Sequence, residues 1–509
     1  MTRRPQNSAQ FLASAKASRS RFRIGAVLAL GWASLYMADA WFNDDLDMVW
    51  DKFRTHLDKE KQKDRPHVVI LGAGWAALNM LRKLRTDEFK VTIISPKNYF
   101  LFTPLLPSTT CGTLQQRSIV EPIRAFCKRS DAAEANFIEA ECISIDPATN
   151  SIKCVDNSSV QGEVSEFELN YDHLVVAVGA ESATFNIPGV RENSVFLKEV
   201  KHSIDIRDRI LDSLETAHVP GQPQSEIDRL LHFVVVGGGP SGVEYAAELH
   251  DFMIQDMIKM YPEAKKRVKI TVVEALPHLL TMFDAALINH TEKAFKERAI
   301  NVLVNSPVAE VKPKHLVIKN KDGSTYDLPY GVLVWVTGNA TRPLIRDLIQ
   351  SIGTDVQKDR RGLLTDGHFR VLGTKNIWAL GDCSINGSPA TAQAASQEGK
   401  YLGRKFNELS NDFYALSKGA ITQQEFDSKL EQIPAFKYHH LGSFAYIGEN
   451  EAIAQIQVED RHSVQASGVA TFFLWRSVYF SRLLSYKNRF LVITDWMKTA
   501  VFGRDISRT

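Results

Sequence analysis

The chain has 509 residues, 44% of them apolar, and its 61 lysines and arginines against 59 acids leave a net charge of +2. That length allows two or three domains with substantial cores, and the near-neutral balance gives no global electrostatic case for nucleic acid. Five cysteines without a CxxC pair or metal-ligand spacing argue against a disulfide framework, a metal site or an internal redox dithiol.

Residues 1–38 contain no acid, whereas Arg3, Arg4, Lys16, Arg19, Arg21 and Arg23 stand among serines and alanines. This composition predicts a mitochondrial presequence over residues 1–23, with a basic disordered arm as the alternative. Residues 24–42 stay uncharged until Asp39 and carry Tyr36 and Trp41 toward one end. As a helix they reach about 28 Å, close to the ~30 Å of a bilayer's hydrocarbon, so a single transmembrane helix is expected over a signal-peptide core. Presequence plus stop-transfer span places the chain at the mitochondrial inner membrane with its body facing the intermembrane space. Residues 43–65 read as a polar tether.

A β-branched strand, HVVIL, then enters Gly72, Gly74 and Ala77 before a helical pattern. That is G-x-G-x-x-A between strand and helix, the arrangement that aims backbone N–H groups and a helix N-terminus at a pyrophosphate. The next strand, FKVTIISP, should end on an acid for an adenosine ribose but ends on Ser95, whose hydroxyl still hydrogen-bonds. NYFLFTPLLPS, residues 98–108, reads either as the wall of a flat aromatic ring system or as a buried connector. YDHLVVAVGA is another buried strand, and Gly179 at its end permits close backbone approach to a ligand.

The fingerprint recurs more fully in LLHFVVVGGGPSGVEYAAE, with Gly237, Gly239 and Gly242. The following strand ends on Glu274, placed to accept both ribose hydroxyls and to repel a 2′-phosphate, which predicts NADH over NADPH. An excursion separates that helix from that strand, and its acids lack the spacing of an EF-hand. Residues 303–328 read as an antiparallel meander, and GVLVWVTGN brings a strand to Gly338. The chain returns at NIWALGDC, where Gly381-Asp382 sets a carboxylate for a polyol hydroxyl or caps the next helix. Gln393 and Gln397 share one face of that helix, available to a polar ring substituent or plain surface decoration. Two dinucleotide sites on one chain imply two dinucleotides, with electrons passing between them.

Residues 469–484 and 488–502 are apolar but interrupted by Arg476, Arg482, Arg489 and Lys498. Neither spans a bilayer uncharged; each has the length of an in-plane amphipathic helix, or of a helix packed in a core or a dimer interface.

Taken together, ISPKNYFLFTPLLPS, VVVGGGPSGVE, the ALGD run and AQAASQ resemble a type II, non-proton-pumping NADH dehydrogenase of the two-dinucleotide-binding flavoprotein superfamily, over about residues 66 to 504. The resemblance implies an α/β fold with two Rossmann-like domains, 66–190 with 339–405 for FAD and 191–338 for NADH, plus a C-terminal amphipathic helical membrane-docking region, 406–509. It implies that Gly72, Gly74 and Asp382 hold FAD and that Gly237, Gly239, Gly242 and Glu274 hold NADH. Ala77, Ser95, Thr103, Gly179, Gly381 and Gly338 complete the cofactor-binding set. Glu244 matches a carboxylate near the nicotinamide, and Gln393 and Gln397 match quinone-site glutamines. Ubiquinone is the implied acceptor and inner-membrane lipid the implied surface; no metal is expected, and a homodimer stays open. The rivals are a sulfide:quinone oxidoreductase, which needs a working cysteine pair, and an NADH-sensing scaffold resembling apoptosis-inducing flavoproteins.

Overall fold

The structure, a computed structural model, describes residues 65–128, 135–459, 462–505 and 507. The presequence, the candidate span and all of the tether but Arg65 lie outside the described residues.

The first strand, β1 (His67–Leu71), leads through α1 (Trp75–Lys83) to β2 (Lys90–Ser95), and a short helix α2 (Leu106–Thr110) follows. After β3 (Asn136–Glu139) the chain crosses to β4 (His173–Val176) on the other flank of β1. Leu71 pairs with Ile94 on one side and with Val176 on the other, all parallel. The direction of winding therefore reverses at β1, and the crevice beyond its carboxyl end is where such sheets take ligands. Near-continuous burial of β1 and β4 explains their unbroken apolar sequences, since helices or loops cover both faces.

The second unit repeats the plan. β5 (His232–Val236) passes through α3 (Pro240–Phe252) to β6 (Lys269–Val273), then β7 (Ile300–Leu303), and β8 (Val332–Trp335) closes on the far side of β5. Val236 pairs with Val273 and Trp335 in parallel register. Three antiparallel strands between residues 308 and 329 form the expected meander. The excursion after α3 begins with a π-helical turn, Met253–Met257. β9 (Ile377–Ala379) then rejoins the first sheet beside β4, and α4 (Ala392–Glu408) lies on α1. That contact is backbone to backbone, because a Cβ on Gly399 would sit 2.2 Å from the Ala76 carbonyl.

The C-terminal region departs from the sequence reading, which gave it helices alone. Before them stands a three-stranded antiparallel sheet, β10 (Ser443–Gly448), β11 (Glu451–Glu459) and β12 (His462–Gly468). Glu449 and Asn450, with φ of 51° and 61°, make its first turn, the left-handed pair that matches the twist of a tight hairpin. α5 (Val469–Arg482) and α6 (Tyr486–Phe502) follow. The Arg476 guanidinium joins them, lying 4.4 Å from the Phe472 ring centroid and 4.6 Å from that of Trp496. Among the described residues no helix is long and apolar enough to cross a membrane.

Candidate active site

A cavity of about 850 Å³ opens at the carboxyl end of the first sheet. Gly72, Gly74, Ser95, Thr103, Gly179, Gly338, Gly381 and Asp382 all line it, so most of the first set of candidate residues converges on one space. Ala77 does not; it is buried on α1, where the third fingerprint position packs helix on strand.

Each glycine of the turn has a separate reason. Gly72 has φ +109°, and a Cβ there would stand 2.3 Å from the Ala177 carbonyl, so any side chain strains the turn. Gly74 meets no protein atom within 4 Å of its Cβ position: it faces open space. It is also the N-cap of α1 and offers no side-chain cap, so the first N–H groups of that helix have no partner of their own there. An uncapped helix N-terminus reached over an open glycine fits the pyrophosphate of a dinucleotide. Gly239 repeats both features at α3, and a Cβ on Gly242 would sit 2.0 Å from the Gly237 carbonyl, which seats α3 tightly on its turn.

Polar groups finish the first cavity. Burial pushes the Asp382 carboxyl above its ordinary range, and the Lys198 ammonium works against that rise. Lys198, itself depressed by burial, donates to Asn339 Oδ1 at 2.7 Å. Ser95 accepts from the Lys97 amide at 3.2 Å, and Thr103 Oγ1 accepts from the Trp75 indole at 3.0 Å. Glu398 escaped the sequence reading. Its carboxylate accepts from the Gly381 amide at 2.6 Å and from Asn386 Nδ2 at 3.0 Å, fixing the turn that presents Asp382. The signal existed: Glu398 falls on the same buried face of α4 as Ala394 and Leu402, at helical spacing.

The sequence model of the pyridine nucleotide-disulphide oxidoreductase family matches residues 66–399, and that of the NDH2 C-terminal domain matches residues 440–505. The chain belongs to the pyridine nucleotide-disulphide oxidoreductase family. It is 38% identical to the external alternative NAD(P)H-ubiquinone oxidoreductase B3 of Arabidopsis thaliana mitochondria, covering 88% of this chain and 91% of that one. With the external alternative NADH-ubiquinone oxidoreductase of Yarrowia lipolytica mitochondria it shares 41% identity over 87% of this chain and 80% of the relative. The solved structure of NDH2 from Plasmodium falciparum in complex with NADH superposes with a TM-score of 0.78 at 29% identity, over 87% of this chain and all of that one.

In this family member the second set of candidates lies apart from the first cavity. Glu274, at the end of β6, uses both oxygens on its own turn: Oε2 accepts from the Gly238 amide at 2.6 Å and Oε1 from the Leu276 amide at 2.8 Å. Gly338 borders the first cavity, and its lack of a side chain also makes room for the Phe185 ring, 2.5 Å from where a Cβ would stand.

The three residues given catalytic roles do not line the cavity. Glu244 is buried on α3 and accepts from the Tyr446 amide of β10 at 3.3 Å. Burial above all raises its carboxyl to about 8; Glu248 adds to the rise, while the Tyr446 amide and the Trp475 indole oppose it. Gln393 accepts from the Tyr438 hydroxyl at 2.6 Å and the Leu441 amide at 3.0 Å. Gln397 exchanges two bonds with the His439 backbone, at 2.8 and 3.0 Å. Both amides are thus spent on holding residues 438–441 to α4.

Behind Glu244 lies a polar cluster that no motif announced. Glu248 accepts from Ser108 at 2.7 Å and Thr113 at 2.6 Å, and Arg504 approaches it at 3.7 Å while donating to Asp256 at 2.8 Å. Cys142 and Cys154, which no sequence motif pairs, stand opposite each other on paired strands, and both are free. No local motif could show it, because strand register and not sequence spacing brings the two together.

Proposed function

We propose that this chain is a non-proton-pumping NADH:ubiquinone oxidoreductase, held at the mitochondrial inner membrane with its body in the intermembrane space. The observation that carries the activity is the pair of uncapped helix N-termini behind the open glycines Gly74 and Gly239, each at the carboxyl end of its own parallel sheet. One chain so built cradles two dinucleotides. FAD held there would supply the two-electron relay between NADH and ubiquinone. The chain's own work is placement. The α1 amides would hold the FAD pyrophosphate, Asp382 would accept from its polyol, and Glu398 keeps the Gly381 turn in position. Glu244, its carboxyl raised to about 8 by burial, would hold a proton close to β10 and α5. Gln393 and Gln397 fix the 438–441 segment, and we assign the quinone ring to this neighbourhood, following the family pattern.

Stopped-flow absorbance of the flavin-loaded protein tests the reading. NADH is expected to bleach the flavin band and a short-chain ubiquinone to restore it rapidly. Bleaching without recovery on quinone makes the protein a sensor or scaffold; bleaching by sulfide and not by NADH makes it a sulfide enzyme.

Glu274 sets the nucleotide preference in this reading. Glu274→Gln removes the charge that a 2′-phosphate would meet, and the NADPH-to-NADH ratio of kcat/KM is expected to rise about tenfold, or about 1.4 kcal/mol. An unchanged ratio removes Glu274 from that role. Because the amide keeps only one of the two backbone bonds, the ratio and not the absolute rate is the readout.

The membrane face is assigned to α5 and α6, where Phe473, Phe490, Met497 and Phe502 are exposed, Phe502 by 84%. Apolar side chains so exposed beside Lys487 and Lys498 suit the boundary of an anionic bilayer. Replacing Phe490 and Phe502 together by serine is expected to weaken co-sedimentation with anionic vesicles by about a hundredfold or more, from ~1.5–3 kcal/mol per phenylalanine. Unaltered binding moves the contact elsewhere.

A further inference from the structure

Cys142 and Cys154 lie in a three-stranded antiparallel sheet, Glu141–Asp146, Ser151–Val155 and Glu166–Asn170, inserted into the first unit. They are direct cross-strand partners. Opposed residues of an antiparallel pair have Cα atoms about 4.5–5.5 Å apart, inside the ~4.4–6.8 Å that a disulfide spans. Both thiols are free, and Cys142 Sγ donates to the Ser144 carbonyl at 3.4 Å. Just beyond Cys142 the register shifts before Ser144, a bulge that lets this strand adjust without disturbing the rest of the sheet. Accessibility differs across the pair: Cys154 is fully buried, while Cys142 is partly exposed and lines the cavity with Ser95 and Lys97. A partly exposed outer thiol backed by a buried inner one has the placement of an attacking and a resolving cysteine.

We propose that Cys142 and Cys154 form a reversible disulfide on the wall of the first cavity, made by exchange with a small-molecule disulfide such as oxidised glutathione. The Cys142 thiolate attacks one sulfur of that disulfide, whose S–S bond breaks, and one glutathione leaves and takes up a proton. Cys154 then loses its proton and attacks Cys142 Sγ, releasing the second glutathione as a thiol. Two protein thiols have given up two electrons and two protons, and one glutathione disulfide has become two thiols. Contact with Cys154 and burial push the Cys142 thiol up, so its thiolate is the minor form and exchange is slow at neutral pH. This proposal stands on the hairpin and the cavity wall and does not depend on which quinone the enzyme reduces.

The test equilibrates the FAD-loaded full chain in glutathione buffers of stepped ratio, quenches with acid, blocks free thiols in denaturant and maps peptides by mass. A crosslink between the Cys142 and Cys154 peptides is expected to appear and to reverse on return to reducing buffer. Its fraction should go from under a tenth to over nine tenths across on the order of a hundredfold in the ratio of squared glutathione to its disulfide, as a two-electron exchange requires. Cys154→Ser should trap one glutathione on Cys142, and Cys142→Ser should leave Cys154 unmodified. Retained flavin shows that each variant is folded; where flavin is lost, the wild-type map decides alone. Both thiols remaining free at every ratio, or an unresolved glutathione adduct persisting on wild-type Cys142, overturns the proposal.

Discussion

Arg504→Ala is expected to cost the folded protein about 3–5 kcal/mol, the usual loss when one member of a buried ion pair is removed and its partners stay behind. The Arg504 side chain is 6% exposed, and its guanidinium reaches Asp256 at 2.8 Å and Glu248 at 3.7 Å. It also donates to Thr113 Oγ1 at 2.8 Å, and Thr113 in turn donates to Glu248 at 2.6 Å. The truncated protein would keep two buried acids with only hydroxyl and amide donors to answer them. The same residue fastens the end of α6, since Gly503 lies so close on Asp256 that a Cβ would stand 2.6 Å from its Oδ1. Urea unfolding of the flavin-loaded protein measures the loss, and Arg504→Lys should lie between, keeping the charge without the fork. A loss below about 1 kcal/mol would mean that the hydroxyl donors suffice and that Arg504 is not the clasp of the C-terminal segment.

What could be read from the sequence follows from how local each signal is. The two glycine turns, Glu274 and the Gly381-Asp382 step each lie within a strand–turn–helix unit a few residues long, and backbone geometry there dictates residue type directly. Ser95 kept its place at the end of β2 although it broke the acidic pattern, because strand order and not its side chain puts it there. Glu398 was missed although periodicity marked its buried face, since a carboxylate among alanines reads as surface until the Gly381 amide is seen beside it. The C-terminal sheet was missed for a different reason. Its strands hold Ala, Gln and Ser where β-branched residues would announce a strand, and their pairing gains from packing on α3 and α5. The Glu248 to Arg504 contact and the Cys142 to Cys154 pair need tertiary register, which no single segment encodes. Gln393 and Gln397 share one helix face, as their spacing predicts, but their partners, residues 438–441, arrive from a loop with no pattern of its own.

Glu244→Gln should make the stability of the flavin-loaded protein less sensitive to pH than that of the wild type. The groups around Glu244 are Glu248 on its own helix, the Tyr446 amide from β10, and Trp475 and Tyr479 from α5. Burial dominates and holds the carboxyl near 8, against about 4.5 unfolded. A group whose pKa is raised on folding contributes stability that is fully present below its unfolded value and is lost as pH climbs through its folded value. Such a carboxyl carries at most about 5 kcal/mol in all, of which about 3 kcal/mol should disappear between pH 6 and pH 9. Glutamine has the same shape, accepts from the Tyr446 amide and does not titrate, so its variant should lose about 3 kcal/mol less over that interval. Urea midpoints at the two pH values decide it. If wild type and variant differ by less than about 1 kcal/mol, Glu244 is ionised in the folded state at neutral pH, and its assignment as a proton holder beside β10 and α5 falls with the prediction. If the full difference appears, the proton that quinone reduction consumes has a store within the protein, on a residue whose ionisation is resisted by the same packing that binds the C-terminal region to the second unit.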